Sequence, residues 1–292
     1  VEFCTFDQLA HVAQQSGAFL HAIDAWGWDK ALRFQFRKSG VPERLLPTKE
    51  QIEEVRQLSN RRITTDMLVS LRNGLEGHTC GESTYVTDKE GFDVILLKER
   101  NIVAKAPWSS SGRGIRYFFD GKATENACNW TANTIRNQGG IMVEPIYNKV
   151  KDFGAEFIRN SDGTVHFLGL SLFETRSGAY TGSLLAAEEA KREIISRFID
   201  LDLFDEILLR LERELSSVLA PLGNLSICLG VDMMIVAKKE DGGFLVNPCV
   251  EVNLRRTMGL VALDISSKIN CRQGFMSVSY DNKKYHLRVT NC

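Results

Sequence analysis

The sequence predicts an α+β protein, and three observations carry that prediction. Helical spacing runs through most of the first hundred residues, short β-like runs broken by Gly, Ser and Asp begin at about residue 98, and helical spacing returns from Leu184 to Leu219. The 292 residues are 43% hydrophobic and 25% charged, near the average of soluble globular chains, which excludes collagen-like, disordered and coiled-coil classes. That length allows about two domains or one larger multilobed unit. A formal net charge of -1 leaves no global basic field to gather nucleic acid or acidic lipid, so any anion site must be local.

No stretch reaches the ~20 apolar residues of a bilayer span; the nearest, Leu225 to Ala237, is interrupted by Asp232. A soluble protein is expected, with neither nucleic acid nor membrane as partner. Val1 to Cys4 shows no leader pattern and no initiator Met, as expected of a fragment. The seven cysteines (Cys4, Cys80, Cys128, Cys228, Cys249, Cys271, Cys292) are scattered without a C-x-x-C pair, which fits free thiols in a reducing, cytoplasmic setting.

In chain order, Trp28 to Lys38 reads as a helix ended by Gly40 and Pro42. Thr48 and Gln51 form a capping box after Pro47, and Ile52, Val55 and Leu58 follow at helical spacing, so a helix is expected over about 49 to 60. A third helix is expected from Thr65 or Asp66 to Leu71, and a short buried strand from Val94 to Leu97. Strands are then expected at Ile102 to Ala106, Ile115 to Phe119, Ile141 to Glu144, Ala155 to Ile158 and Val165 to Leu172. The turns at 160–163 and 239–243 each predict an antiparallel hairpin. Two helices split near Asp200 to Asp205 are expected between Leu184 and Leu219, with Pro221 ending the second.

Three segments carry chemistry. In the first, Lys105 ends a strand and precedes a small-residue loop, Ser109, Ser110, Ser111, Gly112, Arg113 and Gly114. Such a loop lets backbone N–H groups approach phosphates while the lysine supplies a point charge, and it reads equally as an exposed turn. It is not a Walker A loop, because the lysine precedes the loop and a strand follows. In the second, Glu144 ends an apolar strand before Ile146 and Tyr147. A carboxylate there needs a donor, either an adenine amino group or a nearby Lys or Arg. In the third, Glu251, Asn253 and Arg255 alternate along one strand face, and Asp232 lies on the partner strand of the predicted hairpin. Grouped hard oxygen ligands suit Mg²⁺, with a solvated ion-paired face as the alternative. None of the five histidines (His11, His21, His78, His166, His286) sits in a zinc or triad pattern.

These segments, in this order, resemble the ATP-grasp superfamily over residues 98 to 259. The resemblance implies two α/β lobes with antiparallel sheets sandwiching a nucleotide cleft, divided as a partial, mainly helical region over 1–60, a small lobe with the phosphate loop over 61–147, and a large lobe with the metal site over 148–292. The N-terminal region shows too few strands for a whole Rossmann-like domain, so a truncated one is expected. By the same resemblance Lys105 contacts the α/β-phosphates, the Ser109 to Gly114 loop covers the β/γ-phosphates, Glu144, Ile146 and Tyr147 hold adenine, and Asp152 holds the ribose. Asp232, Glu251 and Asn253 would bind Mg²⁺, and Arg255 would steady the transferred phosphoryl group. Trp26-Gly27-Trp28 and Leu45-Leu46-Pro47 resemble a sparsely characterised bacterial branch of the superfamily.

Departures are visible. Asp232 and Glu251 are 19 positions apart, more than the family's short hairpin needs. The family's earlier phosphate-contacting lysine has no match, leaving Arg61 or Arg62 as stand-ins, and Trp108 is bulky for a phosphate cover. Arg176, in a polar Gly-punctuated segment, reads either as a clamp for a substrate carboxylate or as a solvated loop residue. The implied activity is an ATP-dependent ligase forming C–N bonds: ATP and Mg²⁺ activate a small-molecule carboxylate as an acyl-phosphate, which an amine or thiol attacks. A catalytically idle ATP-binding module and a kinase-like phosphotransferase are the alternatives.

Overall fold

The computed structural model describes residues 5, 6, 8, 9, 22–109, 114–176, 179–238, 242–268, 273–281 and 284–291. Ser110, Ser111, Gly112 and Arg113 of the expected phosphate loop lie outside the described residues. Three four-stranded antiparallel sheets and the helices packed on them make an α+β fold, as expected.

The N-terminal part is helical. Helix α1 (Lys30–Lys38) starts on Asp29, whose side chain accepts from the Leu32 N–H, and α2 (Lys49–Leu58) starts on the full Thr48/Gln51 capping box. Helix α3 (Ile63–Arg72) follows. Val55 of α2 and Met67, Leu68 and Leu71 of α3 enter the main core, together with Phe153, Phe157, Leu229 and Val231.

The first sheet has the order β1 (Thr84–Val86), β4 (Ile141–Pro145), β2 (Ile102–Lys105), β3 (Ile115–Phe118). Its inner face, with Ile102, Ala104, Ile141 and Val143, packs on α4 (Lys89–Glu99) and α5 (Glu125–Gln138) through Phe92, Leu96, Trp130 and Ile135. The strand expected at Val94 to Leu97 is therefore wrong: these residues form the middle of α4. Asp88 caps that helix by accepting from the Gly91 N–H at 2.7 Å, and Phe92 and Leu96 bury the i, i+4 stripe while Val94 and Leu97 stay 64% and 71% exposed. Four apolar residues in a row looked like a strand, but only part of the run faces the core. Helix α5 breaks the expected run of strands; it begins on Thr124 and ends at Gly139, whose φ of 77° is the left-handed cap.

The second sheet has the order β10 (Phe244–Asn253), β9 (Ile227–Ala237), β5 (Lys149–Arg159), β6 (Val165–Ser171). Both predicted hairpins are present, β5 with β6 and β9 with β10, each antiparallel. One face carries Phe153, Ala155, Phe157, Leu229, Val231, Met233 and Ile235 into the core, against α6 (Glu188–Ile195) and α7 (Leu201–Val218), two helices split around Asp200.

The third sheet has the order β12 (Lys284–Asn291), β11 (Gln273–Asp281), β8 (Ala179–Ala186), β7 (Phe173–Arg176). Here two expectations are corrected. Leu184 to Ala186 belong to β8 rather than to a helix, and Arg176 ends a strand of the β7–β8 hairpin rather than sitting in a strand-to-helix loop. Helix α8 (Met258–Ser266) bridges the second and third sheets, packing on β8 and β6.

Candidate active site

The outer face of the second sheet gathers the third chemical segment. β9 and β5 alternate, so Gly230, Asp232 and Met234 share that face with Asp152, Gly154 and Glu156. Across it, Ser171, Gly154, Asp232 and Glu251 form one cross-strand row over β6, β5, β9 and β10. The neighbouring row holds Gly169, Glu156, Gly230 and Asn253.

Asp232 and Glu251 are thus direct cross-strand partners despite their 19-residue separation. The hairpin is long rather than short, and a register shift between Asn247 and Glu251 places two extra residues around Pro248 while keeping the alternation of faces. Burial and the facing Glu251 carboxylate push Asp232 up to about 7. The Asn253 side-chain amide donates to Asp232 at 3.3 Å, and Arg255 donates to the Asn253 side-chain oxygen at 3.0 Å. Two facing carboxylates and an amide oxygen are a donor set for a hard divalent cation. Among the described residues no three His, Cys, Asp or Glu side chains converge as a cage.

The first two segments meet on the small sheet. Lys105 and Val103 of β2 share a face with Met142 and Glu144 of β4, and Lys105 Nζ donates to Glu144 Oε2 at 2.6 Å with both residues buried. The ion-pair alternative for Glu144 is what the structure shows. The Ile146 N–H donates to the Asn101 carbonyl and the Tyr147 carbonyl accepts from the Lys149 N–H, which leaves the Ile146 carbonyl and the Tyr147 N–H outside these two bonds. The Tyr147 hydroxyl accepts from the Gly81 and Glu82 N–H groups, and burial pushes it up to about 12. Asp152, three residues into β5, pairs with Lys149 at 2.5 Å on the face that carries Asp232.

One guanidinium ties these parts together. Arg61, 5% exposed, donates to the Ala106 carbonyl at 2.7 Å, to Ser109 Oγ at 2.6 Å and to Glu251 Oε1 at 2.8 Å. Of the two candidate stand-ins, Arg61 therefore reaches the cluster, whereas Arg62 turns the other way over the Tyr85 ring at 5.0 Å. The loop is pinched at its base, where the Ala106 N–H donates to the Gly114 carbonyl. A Cβ at Gly114 would stand 2.3 Å from Ser109 Oγ, so only glycine fits. Trp108 does not cover this loop: its indole N–H donates to the Arg56 carbonyl and the ring packs under the Arg56 guanidinium.

Burial, with the nearby carboxylates of Asp232, Glu144 and Glu251, raises the Cys249 thiol. Arg176, exposed at the end of β7, lies outside both rows and outside the Arg61 network.

Sequence reasoning missed Glu156. It is 3% exposed, accepts from Thr257 Oγ1 at 2.7 Å, and is pushed by burial up to about 8. Gly230 and Gly259 make room for it, since a Cβ at either would stand within 2.6 Å and 1.8 Å of its carboxylate oxygens. The signal was the alternation Asp152, Gly154, Glu156, which puts it on the same face as the recognised residues.

Antiparallel sheets with helices packed on them, in this arrangement, are the ATP-grasp fold, and the chain adopts it. No family model and no curated protein matches the sequence. Solved structures do match. The chain is similar to biotin carboxylase from Campylobacter jejuni in a β,γ-ATP complex, at 13% identity and a TM-score of 0.56 over 96% of this chain and 64% of that one. It is similar to N5-carboxyaminoimidazole synthetase from Staphylococcus aureus complexed with ADP, at 13% identity and a TM-score of 0.51 over 97% of this chain and 71% of that one. The biotin carboxylase domain dimer of Hydrogenobacter thermophilus 2-oxoglutarate carboxylase, in complex with MgADP, ADP and bicarbonate, matches at 13% identity and a TM-score of 0.51 over 94% of this chain and 61% of that one. This chain therefore spans between 61% and 71% of these proteins. No helix among the described residues is long and apolar enough to cross a membrane.

Proposed function

We propose that the chain is a MgATP-dependent ligase that phosphorylates a carboxylate and joins the acyl-phosphate to an amine or thiol. One observation carries this reading: a single buried guanidinium, Arg61, links the loop after Lys105 to Glu251, and so brings a phosphate-type lysine and loop against a facing pair of carboxylates.

Lys105 holds the α/β-phosphates, and Ser109 with the following loop residues to Gly114 covers the β/γ-phosphates. Glu144, the Ile146 carbonyl and the Tyr147 N–H hold adenine, and Asp152 holds the ribose. Asp232, Glu251 and Asn253 hold Mg²⁺, which supplies charge neutralisation across the phosphates. Lys105 and Arg255 set fixed positive charge against the phosphoryl group as it moves, so the residues contribute placement and electrostatics with no protein nucleophile. On binding, Lys105 and Arg61 exchange carboxylate partners for phosphate oxygens, and the carboxylates they release become available to the base and the metal. Arg176 at the rim of the third sheet is the candidate clamp for the substrate carboxylate.

Lys105→Ala and Glu251→Gln should each weaken MgATP binding by about tenfold or more, as expected for loss of a charge-assisted contact worth ~1.5–3 kcal/mol. Calorimetry on folded protein checks this, and unchanged affinity in both variants removes the site. Release of ADP and phosphate that depends on both an added acid and an added amine supports ligation. A phosphorylated product formed without amine shows a phosphotransferase, and tight MgATP binding without turnover shows an idle module.

A further inference from the structure

A hollow of about 400 Å³ is lined by Arg62, Thr65, Asp66, Ser83, Tyr85 and Thr87. Its place follows from register. Tyr85 of β1 pairs with Met142 of β4, which pairs with Lys105 of β2, so the three lie in one cross-strand row on the face that carries Lys105. At ~4.8 Å between strands, the Tyr85 backbone lies about 10 Å from that of the phosphate-type lysine. The hollow sits at the end of the sheet where Arg61 meets Ser109, away from the Glu144 hinge.

The lining has matched chemistry. Arg62 and Asp66 are separated by one helical turn at the start of α3, so a cation and an anion sit on one side of the hollow, with the Arg62 guanidinium stacked on Tyr85. Thr65 Oγ1 and Ser83 Oγ are buried without a hydrogen-bond partner. An unmade buried hydroxyl bond costs ~1–3 kcal/mol, a cost that a polar ligand reached by side-chain rotation would remove. The volume falls within the range of small-molecule pockets.

We propose that this hollow binds a small zwitterion, a free amino acid, with its carboxylate on Arg62, its ammonium on Asp66 and further hydrogen bonds from Thr65 and Ser83. The proposal rests on the ligase reading, in which this molecule is the amine substrate held beside the phosphates. Specificity arises from the pairing of charges: an anion alone meets Asp66, and a cation alone meets Arg62.

The test is calorimetry of the protein with each of the standard amino acids in turn, with acetate and inorganic phosphate as anion-only probes. Saturable binding of at least one amino acid is expected, weakened about tenfold or more by Arg62→Gln and by Asp66→Asn, with MgATP affinity unchanged in both. Arg62 and Asp66 are exposed, so an unchanged melting temperature establishes that both variants fold. Absence of binding by every amino acid, binding that survives both substitutions, or acetate and phosphate binding as tightly as the zwitterion each overturns the site. MgATP binding lost in Lys105→Ala, with no amino acid bound to the parent protein, overturns the hollow and leaves the ligase reading standing. Amino-acid binding without any MgATP binding supports the hollow and overturns the ligase reading.

Discussion

Glu156 is a carboxyl group buried against a helix start rather than an ordinary ion-pair partner. Thr257 donates to it and also caps α8 by accepting from the Leu260 N–H, so Glu156 fixes where the chain turns directly after Asn253 and Arg255. Asp232, Arg255, Lys191, Tyr180 and Cys228 are titratable groups around it. Its value rises from 4.5 unfolded to about 8 folded, so between those limits the folded protein keeps a proton that the unfolded chain has released. Stability from this group is therefore complete below about 4.5 and is lost as pH rises towards 8, with a slope of at most about 1.4 kcal/mol per pH unit. Glu156→Gln, which cannot ionise, should flatten that part of the urea-derived stability curve. A variant whose stability falls with pH as steeply as the parent's would show that Glu156 titrates normally.

At the scale of elements, caps and stripes decide more than runs of apolar residues. Asp88→Ala should cost about 1 kcal/mol by removing the cap of α4. Phe92→Ala should cost about 3–5 kcal/mol, whereas Val94→Gln, at an exposed position, should stay within about 0.5 kcal/mol. Urea denaturation of the three variants checks the set, and a large loss in Val94→Gln would return the segment to the buried strand its composition resembles. The same contrast explains what was legible. Helix α2 was readable because Thr48 and Gln51 announce its start, and both hairpins because polar turns separate their strands. Helix α5 was not, because Asn126, Asn129, Asn133 and two threonines dilute its apolar face. Glu251 and Asn253 were legible from period two, but the strand itself stops at Asn253, so Arg255 lies in the bend beyond it and not on the strand face. The Arg61 link was not, because Arg61 and Glu251 lie 190 residues apart and only the fold brings them together.

For the whole molecule, Arg61 is the residue through which the parts report on one another. It precedes α3, which packs on the large-lobe core, while its guanidinium holds the small-lobe loop and the end of β10. Arg61→Lys keeps the charge but loses the planar fork that reaches three acceptors in two directions, so the buried Ala106 carbonyl or Glu251 is left short of a donor. The expected cost is ~1–3 kcal/mol, concentrated at the junction rather than spread over the fold. Hydrogen exchange resolves the two cases: amides at 106–109 and 251–253 should lose protection in Arg61→Lys, while those of the β5–β6 hairpin keep theirs. In the proposed site MgATP should raise protection at 106–109 in the parent further, since phosphate oxygens would bind the loop that Arg61 holds. If exchange at the junction is the same in variant and parent, the lobes are held together by packing alone, and Arg61 is a buried cation with a local role.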